Sequence, residues 1–344
     1  MQLSPGKQLG MKRISDQNGI FKMTAVDQRP PIINPIKKFI SDEKQIWNEV
    51  ARFKKLLVKH LQDSSSALLL DPHYALPVSM GIFKPDNGLI VTLEDSKFEE
   101  NNHGRLSKNI DNWNVSKIKR MGADAVKVLT WYRPDADKNI LYRQQEYVQK
   151  IGEDCKKYDI LFLLELLVYP LQKDANFSTE YLEMKNKKKE DVFKSVEEFA
   201  KSKYCVDIFK LESPINAENI TLDENDFKAF QELHKLCLRP WVMLSAGAGK
   251  KEFKTILHHA FKAGASGFLA GRAIWLNAFQ NYPSWEEIEN TLKNSSKKYL
   301  SEISEMADKE ALPWFANKVF KQKGKDFIFP NSTFRNNYQE IENS

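Results

Sequence analysis

The sequence predicts a closed (β/α)8 barrel, also called a TIM barrel. Eight short apolar runs recur along the chain, and amphipathic segments with helical spacing lie between them. Several runs are apolar on both parities, as in parallel strands that are covered on both faces. A doubly wound open sheet is the alternative fold. No GxGxxG or GxxxxGK[ST] motif follows the first run, which removes the main support for the nucleotide-binding versions of that sheet.

The predicted strands are short segments rich in Val, Ile, Leu and Phe. They cover residues 20–26, 66–70, 88–93, 123–129, 160–168, 206–212, 241–245 and 266–270. Helical spacing predicts helices over 42–62, 139–156, 190–201 and 251–263. In the first of these helices, apolar residues at positions 46, 50, 53, 57 and 61 form one stripe, which is typical of a helix packed on a sheet.

The chain of 344 residues is interpreted as a single domain with two appendages. A polar N-terminal segment covers 1–19, and the barrel, interpreted as the catalytic domain, covers 20–282. A helical extension and a polar tail follow at 283–344, with helices predicted over 285–292 and 297–308. About 250 residues is the usual size of such a barrel, so the central segment is long enough to form one.

Composition excludes several classes of protein. Hydrophobic residues make up 42% and charged residues 28%, which is ordinary for a globular chain, and the net charge of +6 is too modest to indicate nucleic acid. The lysine-rich run at 185–190 has no interleaved aromatic residues and is interpreted as a solvent-exposed loop. Three cysteines without a CxxC pair indicate neither a disulfide framework nor a zinc site. We expect a cytoplasmic protein without membrane partners, because no secretory signal or membrane span is evident.

Polar residues at the carboxyl ends of barrel strands converge on one mouth, where barrels of this kind hold their sites. The residues at these predicted ends are Asp27, Gln28, Arg29, Asp71, Lys127, Glu165, Lys210, Glu212, Ser245, Gly247, Gly271 and Arg272. The last two strand ends, SAGAG at 245–249 and AGRA at 270–273, resemble an anion cradle of backbone N–H groups beside an arginine. Tight turning would also explain the glycines, but it would not explain the arginine.

Lys127 and Lys210 lie within apolar strands, although lysine is rarely buried and its desolvation is costly. A lysine in an apolar site beside a second cation has a lowered pKa, so that a neutral amine becomes available as a nucleophile. Alternatively, the two lysines form buried ion pairs, with Glu165 and Glu212 as their partners. The first interpretation predicts a reactive amine, and the second predicts a structural pair.

Seven segments carry a resemblance to a known family, in order from about residue 20 to residue 280. They are AVDQR at 25–29, ALLLDPHYALP at 67–77, GADAVKVL at 122–129, FLLELLVY at 162–169, VDIFKLESPIN at 206–216, LSAGAG at 244–249 and GFLAGRAIW at 267–275. The sequence resembles the class I tagatose-1,6-bisphosphate aldolase family, to which the bacterial sulfofructose-phosphate aldolases are related. The family fold is a (β/α)8 barrel. One departure is that Pro30 and Pro31 follow Arg29, where the family usually has Gly-Ser.

The resemblance implies an aldolase that forms a Schiff base, needs no cofactor or metal, and cleaves a phosphorylated ketose. Lys210 would form the imine, Glu165 would be the acid/base group, and Ser245, Gly247, Gly271 and Arg272 would hold a phosphate. The predicted catalytic residues are therefore Lys210, Glu165, Lys127 and Asp27. The predicted substrate-binding residues are Gln28, Arg29, Ser245, Gly247, Gly271 and Arg272. Tagatose 1,6-bisphosphate is the expected substrate, and sulfofructose 1-phosphate is the alternative.

Two rival functions come from other classes. A metal-dependent aldolase would need several histidines at one mouth, but of the six histidines only His73 directly follows a predicted strand. A regulatory protein that binds a sugar phosphate would keep the anion cradle without cleaving the sugar. Turnover in a coupled assay for triose phosphate distinguishes it from an enzyme. The sequence leaves the formation of a homo-oligomer open.

Overall fold

A closed barrel of eight parallel strands forms the centre of the molecule. The computed structural model describes residues 3–101, 103–174, 184, 187–320, 332 and 334–337. The barrel strands are β1 (Phe21–Ala25), β2 (Ala67–Leu70), β3 (Gly88–Thr92), β4 (Ala125–Trp131), β5 (Leu161–Leu167), β6 (Ile208–Leu211), β7 (Trp241–Met243) and β8 (Gly267–Ala270). Successive strands pair in parallel, and β1 pairs with β8 to close the ring. The predicted barrel is confirmed, and the open sheet is excluded.

Helices lie before the first strand, between successive strands and after the last strand. They are α1 (Pro5–Ile14), α2 (Pro30–Ile36), α3 (Glu43–Leu61), α4 (Ala75–Ser79), α5 (Val115–Arg120), α6 (Lys138–Lys157), α7 (Lys189–Phe199), α8 (Glu224–Cys237), α9 (Lys250–Ala263), α10 (Arg272–Phe279), α11 (Trp285–Thr291) and α12 (Lys297–Glu310). The helices predicted over 42–62, 139–156, 190–201 and 251–263 are confirmed as α3, α6, α7 and α9. The two helices predicted in the C-terminal extension are confirmed as α11 and α12.

The side chains inside the barrel follow the two-residue period of a strand. Those that form the inner apolar cluster are Phe21, Met23, Ala25, Ala67, Leu69, Ile90, Ala125, Leu161, Leu163, Ile208, Val242 and Leu269. A larger apolar cluster fills the space between the strands and the surrounding helices. Every second residue of a strand points into the barrel. The next inward-pointing residues after this apolar cluster lie at the carboxyl mouth, so the strands place their polar side chains together there.

The amino end of the barrel is closed by helix α1. Met11 and Ile14 of α1 belong to the inner apolar cluster together with Trp314, a residue of the C-terminal extension. Lys7 donates to Asp207, just before β6, at 2.7 Å. The sequence predicted only a polar segment over 1–19, whereas the structure describes a helix there that covers the end of the barrel. The carboxyl mouth is therefore the end where the predicted site residues gather.

A short antiparallel hairpin lies beside that mouth, after β3. Its strands are Glu99–Asn101 and Gly104–Leu106. The Arg105 guanidinium lies 4.8 Å from the ring of Trp131, the last residue of β4, and 5.2 Å from the ring of Tyr169, two residues after β5. No helix among the described residues has the length and apolarity needed to cross a bilayer. The described residues do not include most of the polar tail or positions 185 and 186 of the lysine-rich run. The domain boundaries stay predictions.

Candidate active site

The two strand lysines meet at one carboxylate. Lys127 on β4 and Lys210 on β6 lie on either side of Glu165 on β5, and their Nζ atoms are 2.8 and 2.9 Å from the same oxygen, Oε2 of Glu165. Glu165 and Lys210 are direct neighbours in the β5–β6 register. Burial raises the pKa of the Glu165 carboxyl, but the charges of Lys127 and Lys210 outweigh burial and hold that pKa below its usual value.

Asp27, two residues beyond β1, is the second carboxylate at this mouth. Lys127 Nζ donates to Asp27 Oδ2 at 2.9 Å, and the Thr92 hydroxyl donates to the same oxygen at 3.3 Å. Burial raises the pKa of the Asp27 carboxyl, but Lys127 and Lys210 lower it further than burial raises it. Among the described residues, Asp27 Oδ1 and Gln28 Oε1 are buried without a hydrogen-bond partner. Both oxygens are thus left to accept hydrogen bonds from a ligand.

Glu94 is a residue of this cluster that the sequence analysis missed. Its Oε1 accepts from Lys127 Nζ at 2.7 Å, and its main-chain oxygen accepts from the Arg29 guanidinium at 3.1 Å. Burial raises the pKa of the Glu94 carboxyl more than Lys127 and Arg29 lower it. A sequence signal existed for Glu94. Residues 90, 92 and 94 alternate along β3 and its extension and all point into the barrel, so the two-residue period of a strand predicts that Thr92 and Glu94 lie at the mouth, as it does for Lys127 on β4.

The loops after β7 and β8 form the predicted anion cradle. Ala246 and Gly247 have φ angles of +43° and +74°, so two successive peptide units adopt the left-handed conformation. A Cβ on Gly247 would lie 3.6 Å from a guanidinium nitrogen of Arg272, which places this turn beside the Arg272 side chain. Helix α10 begins at Arg272, and its amino end faces the same region. Backbone N–H groups at a helix start and a cationic side chain together favour an anion.

Gly271 allows β8 to approach β1 at the mouth. A Cβ at this position would lie 2.7 Å from Gln28 Nε2 and 2.9 Å from the main-chain oxygen of Ala25. A larger residue would therefore push the Gln28 amide away from the place where it lies. The glycine is required for packing between two strand ends, in addition to its place at the start of α10.

One cavity brings most of the predicted site residues together. Its lining residues are Asp27, Gln28, Glu165, Lys210, Leu244, Ser245, Ala246, Leu269, Gly271 and Arg272. Lys127 lies behind this cavity with 1% of its side chain exposed, in contact with Glu165. Arg29 is buried against Glu94 and does not line the cavity, so its predicted contact with substrate stays a prediction. Leu244 and Leu269 supply the apolar wall of the cavity beside Lys210.

Both interpretations of the buried lysines have a counterpart in this geometry. Glu165 is an ion-pair partner of both lysines, as the alternative interpretation predicted. Glu212 has other contacts among the described residues: it accepts from the Val168 N–H at 2.7 Å and lies 3.4 Å from Lys187 Nζ. The ion pair and the reactive amine are compatible, because Lys210 faces the cavity and Lys127 does not.

Two other strand-end groups are used elsewhere in the fold. Asp71 forms a fully buried ion pair with Lys54 of α3, and its other oxygen accepts from the His73 N–H at 3.0 Å. Desolvation by the surrounding residues lowers the pKa of the His73 imidazole. The described residues contain no group of three or more His, Cys, Asp and Glu side chains arranged to hold a metal ion.

Two bacterial aldolases are similar in sequence to nearly the whole of this chain. A tagatose 1,6-diphosphate aldolase 2 of Enterococcus faecalis is 31% identical over 329 residues, which cover 92% of this chain and 98% of that protein. A tagatose 1,6-diphosphate aldolase 2 of Streptococcus mutans is 30% identical, over 91% of this chain and 98% of that protein.

Solved structures of aldolases share the fold. A Schiff-base-forming fructose-1,6-bisphosphate aldolase has a TM-score of 0.56 at 16% identity and covers 88% of this chain and 99% of its own. A fructose-bisphosphate aldolase of Plasmodium falciparum has a TM-score of 0.63 at 13% identity, with 90% and 97% covered. The profile of the family described as DeoC/LacD family aldolase matches residues 22–277, from β1 to α10. This chain therefore belongs to the DeoC/LacD family of aldolases.

Proposed function

We propose that this protein is a class I aldolase that cleaves tagatose 1,6-bisphosphate to dihydroxyacetone phosphate and glyceraldehyde 3-phosphate. The observation that carries the proposal is the contact between Lys210 Nζ and Glu165 Oε2 at 2.9 Å, within a cavity that ends in an anion cradle. A primary amine and a carboxylate in this contact are the two groups that imine-dependent cleavage requires. The substrate is the one in the names of the two bacterial relatives, which are tagatose 1,6-diphosphate aldolases.

The reaction begins with the free amine of Lys210 attacking the ketone carbon C2. Loss of water then gives a protonated imine, which draws electrons from the C3–C4 bond. Glu165 takes the proton of the C4 hydroxyl as the C3–C4 bond breaks. The electron pair of the C3–C4 bond moves into the imine and leaves an enamine. Glyceraldehyde 3-phosphate departs, the proton held by Glu165 returns to C3, and water hydrolyses the imine to release dihydroxyacetone phosphate.

The surrounding groups bind and orient the substrate. Ser245, Gly247, Gly271 and Arg272 hold one phosphate group at the cradle, where the helix start and the guanidinium favour an anion. Asp27 and Gln28 accept hydrogen bonds from sugar hydroxyls through buried oxygens that have no partner among the described residues. Fixing the hydroxyls in this way holds the C3–C4 bond parallel to the π orbital of the imine, which is the orientation that cleavage requires.

Trapping of the imine tests the proposal. The protein is incubated with tagatose 1,6-bisphosphate, reduced with borohydride, digested and analysed by mass spectrometry. We expect one adduct, on Lys210. A Lys210→Met variant should carry none, whereas a Lys22→Met control, altered at the amino end of β1, should still carry it. Absence of an adduct from the wild-type protein, or its persistence in Lys210→Met, would contradict the mechanism.

Cleavage rates identify the sugar. Tagatose 1,6-bisphosphate, fructose 1,6-bisphosphate and sulfofructose 1-phosphate are compared in an assay coupled to triose phosphate. We expect tagatose 1,6-bisphosphate to give the highest kcat/KM. A higher value for sulfofructose 1-phosphate would reassign the substrate, and binding of phosphate without cleavage of any sugar would favour a regulatory protein.

A cytoplasmic location is part of the proposal. The cysteines Cys155, Cys205 and Cys237 are all free thiols, which fits a reducing compartment. Light scattering of the purified protein determines whether it forms a homo-oligomer.

A further inference from the structure

Two amines compete for one carboxylate at the reacting centre. Lys127 and Lys210 both contact Oε2 of Glu165, and the proposed function, on which this inference rests, needs Lys210 as the free amine. If the two lysines had the same partners, either one could equally well serve as the nucleophile. The contacts around them must therefore differ for the chemistry to be assigned to one position.

The contacts do differ, and Glu94 makes much of the difference. Lys127 Nζ lies 2.7 Å from Glu94 Oε1 and 2.9 Å from Asp27 Oδ2, in addition to its contact with Glu165. Asp27 lines the cavity, so part of its charge faces the substrate, whereas Glu94 does not line the cavity. Glu94 is thus a carboxylate that contacts Lys127 without lining the cavity.

Glu94 is held firmly in that place. Its side chain is 3% exposed, and its main-chain oxygen accepts a hydrogen bond from the buried Arg29 guanidinium at 3.1 Å. Residue 94 forms an antiparallel bridge with residue 109, which continues the direction of β3. The charged and titratable groups that face it are Lys127, Arg29, Asp27 and Tyr147 of α6. A side chain anchored in this way can fix the position of the ammonium group that it contacts.

We propose that Glu94 is a positioning residue for the aldolase reaction: it holds Lys127 as an ammonium ion between Asp27 and Glu165, so that Lys210 serves as the nucleophile. Glu94 touches neither the substrate nor the reacting atoms. A charged Lys127 stabilises the carboxylate of Glu165 that takes the C4 proton, and it leaves Lys210 as the amine that lines the cavity. The predicted effect is therefore on the chemical steps and not on binding of the phosphate groups.

The test is steady-state kinetics of Glu94→Gln, which keeps the shape of the side chain and removes its charge. We expect kcat to fall about 10- to 100-fold, the range of one hydrogen bond to a charged group, and KM to stay within about threefold of wild type. The matched control is Asp124→Asn. Asp124 is a buried carboxyl just before β4, the strand that carries Lys127, and it accepts from the Leu89 N–H at 2.8 Å at the amino end of the barrel. Its variant should keep the wild-type kcat.

A folded Glu94→Gln with wild-type kcat would overturn the inference, and so would a loss that appears only in KM. If Glu94→Gln does not fold, Glu94→Asp serves instead: its charge remains, but its shorter side chain loses the 2.7 Å contact. For Glu94→Asp we expect kcat to fall at least about fivefold with KM unchanged, and an unchanged kcat would overturn the inference. Failure of the wild type to form an adduct at Lys210 is a different result, because it rejects the proposed function together with this role.

Discussion

Removing Lys7 would leave a buried carboxylate without its cation at the closed end of the barrel. Asp207 is fully buried just before β6, and its Oδ2 accepts from Lys7 Nζ at 2.7 Å and from the Phe162 N–H at 2.8 Å. Of these two contacts from the described residues, Lys7→Met keeps the hydrogen bond from Phe162. Breaking a buried ion pair by removing one partner costs about 3–5 kcal/mol, so we expect the free energy of unfolding to fall by about that amount.

A double-mutant cycle separates the ion pair from other effects of the substitution. Asp207→Asn removes the charge but keeps an oxygen that can accept from the Phe162 N–H. The double variant Lys7→Met/Asp207→Asn leaves no unpaired charge, so its loss of stability should be smaller than the sum of the single losses by about 2–3 kcal/mol.

The pH dependence of the same cycle has a defined sign. Burial lowers the pKa of the Lys7 ammonium, but Asp207 raises it further, and the net pKa in the folded protein is above the usual value. A raised pKa stabilises the fold below the unfolded pKa of about 10.4, and this contribution is lost as the pH rises through the folded pKa. The difference between wild type and Lys7→Met should therefore be constant between about pH 6 and pH 9.

Denaturation in urea, followed by circular dichroism, measures all four proteins of the cycle. We expect Lys7→Met to unfold at a lower urea concentration and to keep kcat, because α1 lies at the end of the barrel opposite the cavity. Additive losses in the cycle would refute the reasoning. A loss below about 1 kcal/mol in Lys7→Met would do the same, since it would mean that α1 does not close the barrel in solution.

Four further predictions concern the mouth. Glu165→Gln should lower kcat about 10²- to 10⁴-fold in the coupled assay, the usual contribution of an acid/base group, and a loss below tenfold would contradict its role. Arg272→Ala should raise KM about 10- to 100-fold by removing a charged hydrogen bond, so an unchanged KM would exclude Arg272 from the phosphate site. Exhaustive chelation should leave kcat unchanged, and a loss that a divalent metal restores would favour the metal-dependent rival. The lowered pKa of Glu165 stabilises the fold above the unfolded pKa of about 4.3 and loses this effect as pH falls. In acid unfolding, the stability difference between wild type and Glu165→Gln should therefore shrink below about pH 4, and a constant difference would count against the ion pairs.

The barrel was predictable because strands and helices leave different periods in the sequence. All eight predicted strands are confirmed, since each is a short apolar run covered on both faces. Helix α1 was missed because its sequence is short and largely polar. Its few apolar residues do not form a clear helical stripe, and their role became evident only when the structure showed that they cover the end of the barrel. Pro30 and Pro31 give a related case: they occupy the first turn of α2, where a missing N–H costs nothing, and their neighbours alone did not predict that helix.

The candidate site was predictable as far as residues lie on strands. Lys127, Glu165 and Lys210 occur within apolar runs, where a charged residue is conspicuous, and the structure brings all three together. Glu94 lies beyond the end of a run, among other polar residues, so its inward direction was not evident without the register of β3. The partner of Glu212 could not be predicted either, because Val168 and Lys187 reach it through tertiary packing alone.

The kcat of Lys210→Met on tagatose 1,6-bisphosphate tests the central claim most directly. Methionine keeps the length of the side chain and removes the amine, while the anion cradle and Glu165 remain in place. We expect kcat to fall at least about 10³-fold, because no imine can form at this position. Cleavage at the wild-type rate by a folded Lys210→Met protein would contradict the account.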